Sequence, residues 1–202
     1  VQSQLKFHGL DPSKDIVYIG GNQKIIEDHE ILQAIDNNKD TLALIFLGHV
    51  NYLTGQAFNI ELISRKAKDL GIVFGLDLAH GVGNVELNLH QQNVDFAAWC
   101  SYKYLNSGPG AIAGLFVHEK HHETNVPRFS GWWGHDKKTR FEMPLHFAPI
   151  PSAESWQLSN PNILSLACLK TSLDIFQRAG IANLRKKSKI LTSYLEFLLK
   201  SE

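Results

Sequence analysis

Two apolar runs, Thr41 to Leu47 and Ile72 to Asp77, flank a stretch in which Ile60, Ile63, Ala67 and Leu70 recur at helical spacing. A run without polar alternation reads as a strand buried on both faces, and such strands belong to parallel sheets. Further elements extend the rhythm. Ile16 to Ile19 reads as a short strand closed by Gly20-Gly21-Asn22. Asp28 is the expected cap of a helix carrying Ile31, Leu32 and Ile35. Gly71 stops the helix that follows Thr54-Gly55-Gln56. A strand from Val94 follows a short helical segment, and Ala111 to Val117 is one more. The rhythm predicts an α/β chain, a mainly parallel sheet with helices on both faces.

Beyond Val117, aromatic and proline-rich loops lead to a helix from Pro161 to Phe176 and a last one from Ile181. The expected division is residues 1–160 as the central part of a large α/β domain. Residues 161–202 are then helices leading toward a further domain. Val1 is no initiator methionine, and the closing pattern Ile190-Leu191, Tyr194-Leu195, Leu198-Leu199 has no cap after it, so the chain reads as incomplete at both ends.

Charge narrows the function classes. With 20 basic and 20 acidic residues the formal net charge is zero, and no basic stripe invites nucleic acid or an anionic membrane. Arg185-Lys186-Lys187 reads as a solvated helix face. Cys100 and Cys168 have neither metal-site spacing nor the density of a disulfide scaffold. No apolar run approaches the ~20 residues of a membrane span, and the expectation is a cytoplasmic protein.

The chemistry concentrates at two strand ends. Asp77 closes one apolar run, and Ser101-Tyr102-Lys103 closes another. In open α/β sheets, ligands bind at the carboxyl ends of strands, so both fall near one crevice. A lysine there can attack an aldehyde once burial lowers its pKa. A carboxylate there can keep a pyridinium nitrogen protonated. With Gly108-Pro109-Gly110 allowing close backbone approach or a plain turn, the pattern points to pyridoxal 5'-phosphate (PLP). His80, three residues after Asp77, is expected to fix that carboxylate or to stack near the ring.

Three other motifs compete for attention. His118-Glu119-Lys120-His121-His122 matches the H-E-x-x-H zinc hydrolase pattern, but it follows a strand directly and sits among polar residues, so a solvated turn is expected and no metal. In Gly131-Trp132-Trp133-Gly134-His135 the two indoles are expected to point apart, one of them toward a ligand or interface. Ser159-Asn160-Pro161 reads as a turn, either contacting a ligand or capping a helix.

Taken together, Asp77-Leu-Ala-His80, Gly83-Asn84-Val85-Glu86-Leu87, Val94-Asp95-Phe96 and Trp99 to Asn106 closely resemble kynureninase. So do Gly131-Trp132, Gly134-His135, Arg140-Phe141 and Ser159-Asn160-Pro161. The resemblance implies the large domain of a fold-type I, PLP-dependent transferase-like enzyme. Its activity would be hydrolysis of L-kynurenine, or the 3-hydroxy form, to anthranilate, or 3-hydroxyanthranilate, and L-alanine. That reaction serves tryptophan catabolism and NAD biosynthesis. By resemblance Lys103 is the Schiff-base lysine, Asp77 the pyridinium partner and His80 its neighbour in the cofactor site. Tyr102 contacts the cofactor phosphate and takes part in proton transfer. Trp132 and Asn160 reach cofactor and substrate across a homodimer interface. Three family features have no counterpart here: the aromatic that stacks on the ring, the phosphate-binding loop and the arginine for the substrate carboxylate. Gly48 stands where some members carry a small hydroxyl residue. The chain alone is therefore expected to bind the cofactor poorly and to turn over little. The alternatives are another PLP lyase, such as a desulfurase, which needs a mobile catalytic cysteine, and the zinc hydrolase.

Overall fold

A computed structural model describes residues 1–20 and 25–201. Its centre is a four-stranded sheet in the order β1 (Leu44–Gly48), β2 (Val73–Asp77), β3 (Phe96–Cys100), β4 (Ala113–Val117). The first three strands are parallel, and β4 runs antiparallel to β3. The mainly parallel sheet of the sequence reading is present, with one antiparallel edge. Gly48 pairs with Asp77, and Asp77 with Ala98, so three strands end side by side.

One face of the sheet is the core. Ile45, Phe74, Leu76 and Ala97 point inward and meet Ile31 and Ile35 of α2 (Asp28–Asn38) and Ile60, Ile63 and Ala67 of α3 (Ile60–Asp69). Each fully buried aliphatic or aromatic side chain contributes roughly 1.5–3 kcal/mol. The other face carries Leu44, Phe46, Val73 and Leu115, all exposed in this chain. There Phe46 stacks on Phe96 with ring centroids 6.0 Å apart. Gly75 lies between them in register, and a Cβ at Gly75 would clash with the Phe96 ring. Gly114 gives Trp99 the same room across the β3–β4 pair.

Several boundaries differ from the sequence reading. Ile16 to Ile19 forms no strand, and Gly21 and Asn22 lie outside the described residues. The cap of α2 is Glu27, which shares a reciprocal capping box with Glu30, so Asp28 is the first helical residue. The segment before Val94 is a series of turns rather than a helix. α1 (Gln2–Phe7) is a short helix at the start of the chain. α4 (Ile163–Ala179) starts after Asn162, whose side chain accepts from Ser165 N–H, and Pro161 precedes the cap. α5 (Ile181–Lys200) follows with its apolar stripe exposed.

Candidate active site

Asp77 is the last residue of β2 and projects from the open face of the sheet. Its Oδ1 accepts from Ala79 N–H at 2.8 Å, which fixes the turn that follows. No hydrogen bond to Oδ2 is found among the described residues. The turn carries His80, whose Nε2 lies 3.0 Å from Lys103 Nζ. His80 therefore reaches the lysine, beside the carboxylate and ring positions between which the sequence left its role open. Tyr104 meets the imidazole edge-on at 6.0 Å, and Tyr52 is tilted over it at 6.5 Å.

Lys103 sits on a short loop pinned at both ends by buried serines. Ser101, fully buried, donates its hydroxyl to Ile112 C=O, and Ser107 donates to Ser101 Oγ at 2.7 Å. Ser107 N–H returns to Ser101 C=O at 3.2 Å, and Asn106 N–H closes a turn on Lys103 C=O at 3.0 Å. From the far side, Ser172 of α4 donates to Leu105 C=O. Gly83 brings the His80 turn against this loop. Its φ is +78°, and a Cβ would stand 3.1 Å from the Tyr104 carbonyl carbon and from a Leu105 methyl. Gly108 and Gly110 also have positive φ, but each faces open space. They serve the turn, and Gly83 makes the close approach between protein segments.

Tyr102 is half exposed, with Lys103 Nζ 6.0 Å from its ring centre. Trp132 and Asn160 stand in other loops. Trp132 packs edge-on against Phe141 at 5.4 Å. Asn160 is exposed, and no hydrogen bond of its side chain is found among the described residues. Trp132 is exposed and Trp133 half-buried. The Arg140 guanidinium lies 5.9 Å from one indole and 5.1 Å from the other.

The sequence profile of the aminotransferase class-V family matches residues 15–202. The chain belongs to the aminotransferase class-V family. Among curated class-V relatives, it is 52% identical over 202 residues to the kynureninase of Myxococcus xanthus, covering 98% of this chain and 47% of that one. It is 48% identical over 201 residues to the kynureninase of Nematostella vectensis, covering 98% and 43%. The chain thus spans about half the length of the curated relatives it matches. A cysteine desulfurase structure from Thermococcus onnurineus superimposes with a TM-score of 0.71 at 22% identity, over 98% of this chain and 47% of that one. That likeness establishes the class-V fold.

Class-V enzymes are PLP-dependent. The donor set at the strand ends suits that cofactor: a carboxylate with one oxygen uncommitted, and an amine with an imidazole at hydrogen-bond distance. The cysteines do not suit a desulfurase, since Cys100 is within β3 and Cys168 within α4. The histidine motif is no zinc helix and only partly a solvated turn. His118 is buried, stacks on His90 at 4.7 Å and accepts from Lys120 N–H. His122 reaches back to Val117 C=O at 3.0 Å, and His121 lies 2.6 Å from Asp95 Oδ1. The sequence reading missed Ser101, Ser107, Ser172 and Gly83. The polar pair Ser101 and Ser107, bracketing Tyr102-Lys103-Tyr104, was the available signal.

Proposed function

We propose that the whole protein is a kynureninase: it cleaves the Cβ–Cγ bond of L-kynurenine or 3-hydroxykynurenine. Water supplies the hydroxyl of the released anthranilate or 3-hydroxyanthranilate, and L-alanine is the second product. The observation that carries this reading is the Lys103–His80 contact beside Asp77 at three adjoining strand ends. About half identity to kynureninases over nearly the whole chain supports kynurenine as the substrate.

Bound here, PLP would supply a reactive aldehyde and an electron sink for the substrate carbons. Lys103 would hold it covalently, and Asp77 would hold its ring nitrogen. Tyr102 would hold its phosphate, and Trp132 and Asn160 would contribute from the partner in a homodimer. His80 Nε2, 3.0 Å from Lys103 Nζ, would take up a proton from it, so that the amine would serve as a nucleophile and then as a base at the substrate carbons. Tyr102, exposed at the same loop, moves a second proton. Residues 161–202 lead toward a further domain, and the protein works in the cytoplasm. Among the described residues no helix is long and apolar enough to cross a membrane.

The test is anthranilate release from kynurenine by the whole protein, compared with its Lys103→Ala variant. Turnover in the parent and none in the variant is expected. Turnover retained by the variant, or none in the parent, would overturn the reading.

A further inference from the structure

His49 is the first residue beyond β1, and its side chain lies against the turn that carries His80. Its backbone is tied on two sides: N–H donates to Asp77 C=O at 3.0 Å, and C=O accepts from Phe58 N–H at 3.0 Å. The residue is 9% exposed, and Nδ1 is buried without a hydrogen-bond partner among the described residues. Burial lowers the pKa of the ring, which therefore stands there uncharged. A buried nitrogen without a partner is destabilising, and an aliphatic side chain would fill the same space without that penalty. Core packing alone does not account for a histidine here.

Its contact with Gly81 does. A Cβ on Gly81 would stand 3.3 Å from His49 Nδ1, 3.7 Å from His49 Cβ and 3.1 Å from a Leu78 methyl. The φ of Gly81 is not in the left-handed region, so the close approach, rather than the dihedral, calls for glycine. The turn is tight, since Gly81 N–H and Val82 N–H both return to Leu78 C=O, at 2.9 and 3.1 Å. Ala98 C=O holds Leu78 N–H at 2.9 Å, and Asn84 Nδ2 holds His80 C=O at 3.0 Å. Gly81, seated on the His49 side chain, supports the same turn from a third direction. From this turn the His80 imidazole reaches Lys103 Nζ at 3.0 Å. A displacement at Gly81 is passed to that contact, and hydrogen bonds weaken steeply as their geometry departs from the optimum.

We propose that His49 is a positioning residue: it is the floor on which the Leu78–Gly81 turn rests, and through that turn it sets the His80–Lys103 contact. The inference rests on Lys103 as the PLP-bearing lysine and adds a residue that acts only through His80.

The rate at which PLP attaches to Lys103 tests it. The whole protein, freed of cofactor, is mixed with PLP and quenched with borohydride at intervals, and peptide mass spectrometry follows the pyridoxyl group on Lys103. His49→Ala removes the floor and is expected to slow attachment about tenfold. Gly81→Ala crowds the same contact from the other side and is expected to slow it by about as much. In a His80→Gln background each substitution should change the rate by less than about twofold, because the side chain they act through is gone. A residue that only supported the fold would slow attachment alike in both backgrounds. Urea unfolding checks that each variant is folded, and Gly81→Ala alone decides if His49→Ala is not. Unchanged rates in the single variants, equal slowing with and without His80, or no pyridoxyl group on Lys103 would overturn the proposal. The readout needs no kynurenine: the expected rates in a protein that releases no anthranilate would uphold this inference and overturn the kynurenine reading.

Discussion

Lys103 and His80 are the residues on which the chemistry depends, and they are held differently. Among the described residues the lysine amine has one hydrogen-bond partner, His80 Nε2 at 3.0 Å, while its loop is pinned by Ser101, Ser107 and Ser172. His80→Gln keeps a polar group there but cannot take up a proton from the amine. It is expected to lower kcat for kynurenine by about 10²–10⁴-fold. An unchanged rate would remove His80 from the proton path. Ser172→Ala leaves one of two buried partners without the other and is expected to cost about 1–3 kcal/mol in urea unfolding. Asp95 provides a pH test far from the lysine. Burial pushes its carboxyl up, but hydrogen bonds from Lys120, Phe74 N–H and His121 together outweigh that and hold it below its ordinary value of 3.8. A depressed carboxyl stabilises the fold fully above its unfolded pKa, and that contribution is lost as pH falls through the folded value. Asp95→Asn should therefore unfold more easily at neutral pH, with the difference shrinking below about pH 3.8. A difference independent of pH would contradict the assignment.

At the scale of elements, glycines set the approach of one segment to another. Gly83→Ala meets both a positive φ and a backbone contact at 3.1 Å, so about 1–3 kcal/mol of destabilisation is expected. The His80–Lys103 contact should be displaced with it, and activity should fall more than stability requires. A variant with full activity and native stability would show that the close approach is dispensable. The strands and helices around this site were legible because burial leaves continuous apolar runs and period-3.6 stripes on the residues. The run Ile72 to Asp77 and the stripe Ile60, Ile63, Ala67 are examples. Ile16 to Ile19 failed because an apolar run needs a pairing partner to become a strand, and this one pairs with none of the described strands. Asp28 failed because the Glu27–Glu30 pair satisfied the first turn one residue earlier. The strand-end aspartate and lysine could be read because topology places strand ends at a crevice. The serine pins could not, since hydrogen bonds between Ser172 and Leu105 span 67 positions and leave no periodic trace.

At the scale of the molecule, a sheet with one covered face explains both the fold and its limits. Leu44, Phe46, Val73 and Leu115 form an exposed apolar surface, and α5 adds Ile190, Leu191, Tyr194, Leu195 and Leu198. Apolar patches of this kind mark surfaces that associate. The chain spans about half the length of its curated relatives, so the isolated 202-residue polypeptide is expected to self-associate in sedimentation and to release no anthranilate. A monomeric, active chain would contradict that. The central claim is that Lys103 carries PLP in a kynurenine-cleaving enzyme. Borohydride reduction of the whole protein with PLP, followed by peptide mass spectrometry, tests it most directly. A pyridoxyl group on Lys103 is the expected result; its attachment to another lysine, or to none, would contradict the account.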